Sequence, residues 1–167
     1  MKKLPCLLLL LAAFLCGCAH KSPGDIAATT LPVYQFTTRL TAGTDLQVTR
    51  LVTENVSCLH DYTLTVDQMK AIEQAHVVII SGAGLEDFLE DALSSSQVIM
   101  DASENTHLHS GEHHHEQTHN HHDLDAHIWL STENAAIMAQ NICSNLTRLY
   151  PQYQDIFQAN LDSLIER

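Results

Sequence analysis

Metal coordination is the chemistry for which this chain is most richly supplied. It holds 12 histidines in 167 residues, and eight of them, His107, His109, His113, His114, His115, His119, His121 and His122, fall within residues 104–122. A neutral imidazole offers a nitrogen lone pair to divalent zinc, copper or nickel and loses that capacity as it protonates below about pH 6. Eight such rings among Glu, Asn, Gln, Ser and Thr should hold these ions loosely and in many arrangements. Two further histidines stand in tighter surroundings. His60 lies in Leu59-His60-Asp61-Tyr62, and His127 in Asp125-Ala126-His127-Ile128-Trp129. Each is bracketed by segments that read as regular structure, so each ring can be held in place as one of the roughly four ligands of a tetrahedral zinc ion. Asp61 or Asp125 could orient the rings through the nitrogen that the metal does not use. His76 opens an apolar run and reads as structural. Cys58 is two residues from His60, where packing explains it better than ligation as thiolate does.

Other chemistries fit less well. His119-Asn120-His121-His122-Asp123 begins like the HxHxDH signature of metallo-β-lactamase-fold hydrolases, but the next residue is Leu124 and the segment is low in complexity. Gly82-Ala83-Gly84 lacks the spacing of a phosphate-binding loop and reads as a tight turn. No pattern identifies a serine or cysteine nucleophile, so the chain reads as a binding protein rather than an enzyme. Asp plus Glu number 20 against 8 Lys plus Arg, a net charge of −12. That balance argues against nucleic acid, whose binding depends on clustered cations.

The elements that must position these residues alternate. Ile26 to Leu31 reads as a strand, Pro32 to Thr41 as a helix, and Asp45 to Val52 as a second strand. Thr65-Val66-Asp67-Gln68 has the form of a capping box and starts a helix that runs to Ala75. Val77-Val78-Ile79-Ile80 is an unbroken apolar, β-leaning run, the pattern of a strand buried on both faces. A helix over Leu85 to Leu93 and a strand over Gln97 to Asp101 follow. This alternation predicts an α/β fold with a four-stranded, mainly parallel sheet flanked by helices. Ligands gather at the carboxyl ends of such strands, which points to the loops after Val52, Ile80 and Met100. Residues 104–122 contain too little apolar material to form a core and read as a mobile loop. Ser131 or Thr132 should then cap a helix with Met138, Ile142, Leu146 and Leu149 along one face. Pro151 begins another, with Tyr153, Phe157, Leu161 and Leu164 or Ile165 as its stripe, and the chain stops at Arg167 within that pattern.

The amino terminus addresses the chain out of the cytoplasm. Lys2 and Lys3 precede an apolar run from Leu4 to Leu15, too short for the roughly 20 residues a membrane span needs, so it reads as a signal segment. It ends in Leu15-Cys16-Gly17-Cys18, which resembles a bacterial lipobox with Cys18 as the lipidated residue. Residues 1–17 are then a signal peptide and 18–25 a tether. Removal of 17 residues from 167 leaves 150, enough for one domain. Cys58 and Cys143 are too few for a disulfide framework.

The order of these pieces resembles a known family. A lipobox, then TTLPVYQF, SCLHDY, TLTVDQMKAIEQAHVVIISGAGLEDFLEDAL, a His-rich loop and DAHIWLSTENA looks like the metal-binding receptors of bacterial zinc and manganese ABC importers, over Asp25 to Arg167. The resemblance implies two Rossmann-like lobes joined by a long helix, with metal in the cleft between them. On that alignment His60 and His127 are the two metal ligands of the first lobe. The His-rich insertion is similar to that of zinc-type members, implying Zn²⁺ rather than Mn²⁺. Residues 26–150 would form the first lobe, with the His-rich loop at 104–122, and 151–167 the start of the linking helix. Members run to about twice the mature length, and their second lobe supplies a further histidine and a carboxylate. Its absence here implies a fragment, a separately encoded second lobe, or a changed use, and would leave the apolar stripe of the linking helix exposed. The implied function is extracytoplasmic zinc capture by a lipid-anchored protein and delivery to an ABC importer permease. The alternative is a surface zinc-buffering or adhesion lipoprotein that works through the His-rich loop alone. Where members carry DPHxWxDP, this chain has Asp125-Ala126-His127-Ile128-Trp129-Leu130-Ser131-Thr132, without either proline or the second aspartate.

Overall fold

A computed structural model of the chain describes residues 25–53, 59, 62–89, 91–93, 97–108 and 125–166. Its centre is a four-stranded sheet in the order β2-β1-β3-β4, with β1 Ile26–Ala28, β2 Val48–Arg50, β3 Val77–Ile80 and β4 Val98–Asp101. All three strand pairs are parallel, with Ile26 beside Val48 and Val77, and Val77 beside Val98. The strands are shorter than the apolar runs that announce them. Thr29 and Thr30 leave β1 to turn into a helix, and Asp45 to Gln47 approach β2 as loop.

The apolar run of β3 has the two-sided burial that its composition requires. Val77 and Ile79 face a cluster with Ile26, Met100, Met138, Ile142, Leu146 and Phe157. Val78 and Ala27 face the other way, onto Leu51, Ile72 and Leu89. The first face is covered by α1 Leu31–Leu40, α3 Thr132–Leu149 and α4 Gln154–Ile165, the second by α2 Val66–Gln74 and a short 3₁₀ turn, Asp87–Leu89. Among the described residues no helix is long and apolar enough to cross a membrane.

Local signals account for most of the helices. Pro32 sits in the first turn of α1, where its missing N–H is no loss. The capping box of α2 is complete: Thr65 Oγ1 accepts from Gln68 N, and Gln68 Oε1 accepts from Thr65 N at 2.8 Å. Ser131, rather than Thr132, caps α3, and Met138, Ile142 and Leu146 are buried as its stripe predicts, with Leu149 half-buried.

Two expectations need correction. Within 85–93 the described helical part is only the 3₁₀ turn Asp87–Leu89, embedded in turns. Gly82, Ala83 and Gly84 all have positive φ, of 82°, 55° and 78°. The Glu86 carboxylate then folds back onto the Ser81 and Gly82 N–H groups, ahead of the 3₁₀ turn. The stripe of α4 is also covered rather than exposed. Phe157 and Leu161 are buried against α1 and α3. Asn160 Nδ2 donates to Leu40 O and Ala42 O at 2.8 and 2.9 Å, and Tyr153 OH donates to Asp45 Oδ1. Amphipathicity predicted that this face needs a partner; it could not say that the partner lies within the same lobe.

Gly82 is required on two counts. Its φ is left-handed, and an added Cβ would fall 1.8 Å from Asp101 Oδ1 and 2.3 Å from Ser103 Oγ. Those two atoms are not free to yield, because Asp101 Oδ1 accepts from both Ser103 N (2.7 Å) and Ser103 Oγ (2.6 Å). Gly82→Ala therefore combines a conformational cost of about 1–2 kcal/mol with the loss of hydrogen bonds worth about 1 kcal/mol each. The expected destabilisation is about 3 kcal/mol, seen as a fall of roughly 10 °C in melting temperature by circular dichroism.

Candidate metal site

The chain leaves β4 at Asp101 and is at once fastened to α3. Asn141 Nδ2 donates to Ala102 O (3.0 Å) and Glu104 O (2.7 Å). Two helical turns nearer the start of α3, Asn134 pairs with the backbone of His107 in both directions. His107 N donates to Asn134 Oδ1 at 2.8 Å, and Asn134 Nδ2 donates to His107 O at 3.0 Å. The segment thus runs beyond the carboxyl end of the sheet to the first turn of α3, which places it on the ligand edge that a parallel sheet offers.

His127 reaches the same place from the other side. It precedes the 3₁₀ turn Ile128–Leu130, whose last residues lead into the Ser131 cap. One carboxylate oxygen fixes it twice: Asp125 Oδ1 accepts from His127 N and lies 2.9 Å from ring Nδ1. A carboxylate on Nδ1 selects the tautomer that carries its proton there, so Nε2 is the nitrogen available to a metal. The ring also lies 5.3 Å from that of Trp129, at 58°. His107, Asp125, His127, Ser131 and Asn134 line one cleft of about 290 Å³, with apolar walls from Ile128 and Leu130. The His127 side chain is 62% exposed there, within reach of an entering ion.

His60 and Asp61 lie outside the described residues, as do Cys58, Asp123, Cys18 and the loop histidines His109, His113, His114, His115, His119, His121 and His122. Leu59 and Tyr62, on either side of the His60 and Asp61 pair, are described. Tyr62 N donates to Leu59 O at 3.1 Å. The Tyr62 ring meets Phe88 edge-on at 5.2 Å, and its hydroxyl accepts from Gln68 Nε2 at 2.6 Å. Gln68 Nε2 also donates to Leu51 O, so the capping residue of α2 anchors the downstream end of this segment. His76 is exposed and contributes through its backbone, its N–H donating to Asp25 O. Among the described residues, no group of three His, Cys, Asp or Glu side chains converges on a point where a metal ion would sit.

At the ends of β1 and β3 is a buried carboxylate that the sequence alone did not announce. Glu86 is 7% exposed; it accepts from Thr29 Oγ1 (2.6 Å), Ser81 N (2.7 Å) and Gly82 N (3.0 Å), and so joins the ends of β1 and β3. Burial raises its pKa above the ordinary 4.5, against the three hydrogen bonds that favour the charged form, and the nearby Asp101 carboxylate adds to the rise. The only sequence signal was an acidic residue two positions after a glycine-bounded turn. Ala83 N donates to Ser103 Oγ, carrying the same network across to the exit of β4.

With this geometry in hand, comparison with known proteins is decisive for the family. The family described as "ZnuA: Zinc-uptake complex component A periplasmic" matches residues 26–167. The chain belongs to it. A ZnuA-family relative, the zinc-binding lipoprotein AdcA of Streptococcus pneumoniae, is 28% identical over 185 aligned residues, covering all of this chain and 36% of its own length. This chain therefore spans about a third of that curated relative. The crystal structure of Zn(II)-bound AdcA from S. pneumoniae superposes with a TM-score of 0.70 at 24% identity, over 86% of this chain and 30% of that one. The metal-dependent lipoprotein YcdH of Bacillus subtilis gives a TM-score of 0.71 at 22% identity, over 84% of this chain and 50% of that one. The parallel sheet with helices on both faces is thus the ZnuA-like fold, matched over part of each longer chain.

Proposed function

We propose that this chain captures Zn²⁺ outside the cytoplasm as the first lobe of a ZnuA-type receptor and passes it to an ABC importer permease. The observation that carries the reading is His127. It stands beyond the carboxyl end of the sheet with Nδ1 held by Asp125, so that Nε2 is presented to a cleft, in a chain of the zinc-uptake family. Zinc is the cargo. His60 and His127 supply imidazole nitrogens to it, Asp125 fixes the orientation of one ring, and a second lobe, whether of the same product or separately encoded, completes the shell. Mn²⁺ is a poorer fit to imidazole-rich ligation than Zn²⁺. Lipid on Cys18 would hold the protein at the membrane surface, close to its importer, and 151–167 would lead toward the second lobe. The loop histidines collect zinc for the cleft.

The test is a zinc competition titration against a chromophoric chelator, on the unsubstituted chain and on one in which the seven histidines from His109 to His122 are alanine. One tight site should persist after the loop histidines are removed, while the number of weakly held ions falls. If all binding disappears with the loop histidines, the chain is instead a zinc-buffering surface protein.

A further inference from the structure

The sheet ends on one side in an edge that carries no guard. β4 pairs with β3 on its inner side, and among the described residues no strand lies on its outer side. Val98 shares the face of Val77 and Ile99 the face of Val78, since residues at one level of a parallel pair point the same way. Both remain open, at 39% and 45% exposure, so the helices that bury β1 and β3 stop short of β4 on both faces. From Leu93 to Met100 the sequence carries no charge, and Asp101 turns its Oδ1 back onto Ser103 N and Oγ. The opposite edge is different. β2 ends in Arg50, whose guanidinium donates to Val52 O at 2.6 Å and to Thr53 O at 2.9 Å. A fixed cation on an edge strand discourages pairing, and an open apolar edge invites it.

The backbone of β4 sets the form that such pairing takes. Ala102 N donates to Ile80 O at 3.0 Å, across the junction with β3. Backbone groups alternate in direction along a strand, so Val98 and Met100 also address β3, while the N–H and C=O of Ile99 point away from it. In an antiparallel ladder two outward residues of this kind exchange a pair of hydrogen bonds. We propose that two copies of this chain join through β4, antiparallel, about a two-fold axis at Ile99. Ile99 then lies opposite its own counterpart, and Val98 lies opposite the partner's Met100, so that apolar meets apolar on each face. The two Asp101 carboxylates fall at opposite ends of the junction, about 13 Å apart along the strands. An axis at Met100 would instead set Ile99 against a carboxylate. Because Arg50 guards the other edge, pairing closes at two copies and does not run on into a fibre. The junction uses no residue that lines the His127 cleft, so it stands apart from the receptor reading.

The test is sedimentation equilibrium of the full chain over a concentration series, with a chelator present so that zinc bridges nothing, beside amide hydrogen exchange read by NMR. A strand of four residues makes a small junction, so the expected monomer–dimer dissociation constant is about 10 µM to 1 mM. The Ile99 amide should gain protection as the dimer fills, while the Met100 amide, which addresses β3, should not change. Ile99→Lys, at an exposed position, should weaken association by about tenfold or more. Val66→Lys, at a site 66% exposed on α2, should leave association as it is. Association that Ile99→Lys leaves intact, or that both substitutions disrupt alike, overturns the pairing. So does a chain that stays monomeric throughout, or an Ile99 amide that exchanges at one rate at every concentration.

Discussion

If the proposed receptor reading holds, replacing both His60 and His127 with alanine should abolish any tight zinc site of this chain. Zinc bound by a full set of four protein ligands holds about 10–16 kcal/mol of free energy at neutral pH, so each ligand carries on the order of 3 kcal/mol. Loss of two imidazoles then weakens binding by about 10⁴-fold, an effect that a competition titration resolves easily. The fold should survive. The His127 side chain is 62% exposed, and the core on that side of the sheet is built from Ile26, Val77, Ile79, Met138, Ile142 and Phe157. Surface changes of this kind shift stability by about 0.5 kcal/mol or less, so the melting curve acts as the control. Undiminished affinity in the double variant would move the site into the His-rich segment.

Glu86→Ala should have the opposite profile, a large loss of stability. Truncation leaves the Thr29 hydroxyl and the Ser81 and Gly82 N–H groups without their acceptor in a place water does not reach. Each stranded donor costs about 1–3 kcal/mol, and the sum is about 3–5 kcal/mol after partial relaxation. The same residue sets a pH dependence. Because burial holds its folded-state pKa above the ordinary 4.5, the folded chain binds that proton more tightly than the unfolded chain does. The Glu86 contribution is therefore fully present below about pH 4.5 and is lost as pH rises through the raised folded value. Urea melts taken across that window should show a falling contribution from Glu86. Glu86→Gln, which cannot ionise, should flatten that part of the slope; an unchanged slope would assign it to other carboxylates.

Local physics made much of the fold legible in advance. The unbroken run Val77-Val78-Ile79-Ile80 could only be a strand with both faces covered. Thr65 and Gln68 announced their helix through a capping exchange that spans three residues. Met138, Ile142 and Leu146 reported the buried face of α3 through periodicity alone. The position of His127 just ahead of a capped helix was legible from the segment Asp125 to Thr132. What escaped depends on partners distant in sequence. Glu86 meets Thr29 across 57 positions, and nothing near either residue forecasts that meeting. Asn134 and Asn141 look like ordinary polar residues of a helix face, yet their side-chain amides route the chain out of β4. The covered stripe of α4 belongs to the same class, since apolar residues at helical spacing record the need for a partner and not its address.

If the histidine-rich segment collects zinc as proposed, the amides of Asn134 and Asn141 also decouple that capacity from folding. Both margins of the histidine-rich insertion, His107 on one side and Asp125 to Ser131 on the other, are secured to the opening turn of α3. Its number of imidazoles can therefore grow or shrink with almost no penalty to the lobe, because doubling a closed segment costs only about 0.6 kcal/mol. On the proposed reading, zinc-gathering capacity would be a dial that insertions and deletions can turn while the sheet and its cleft stay as they are.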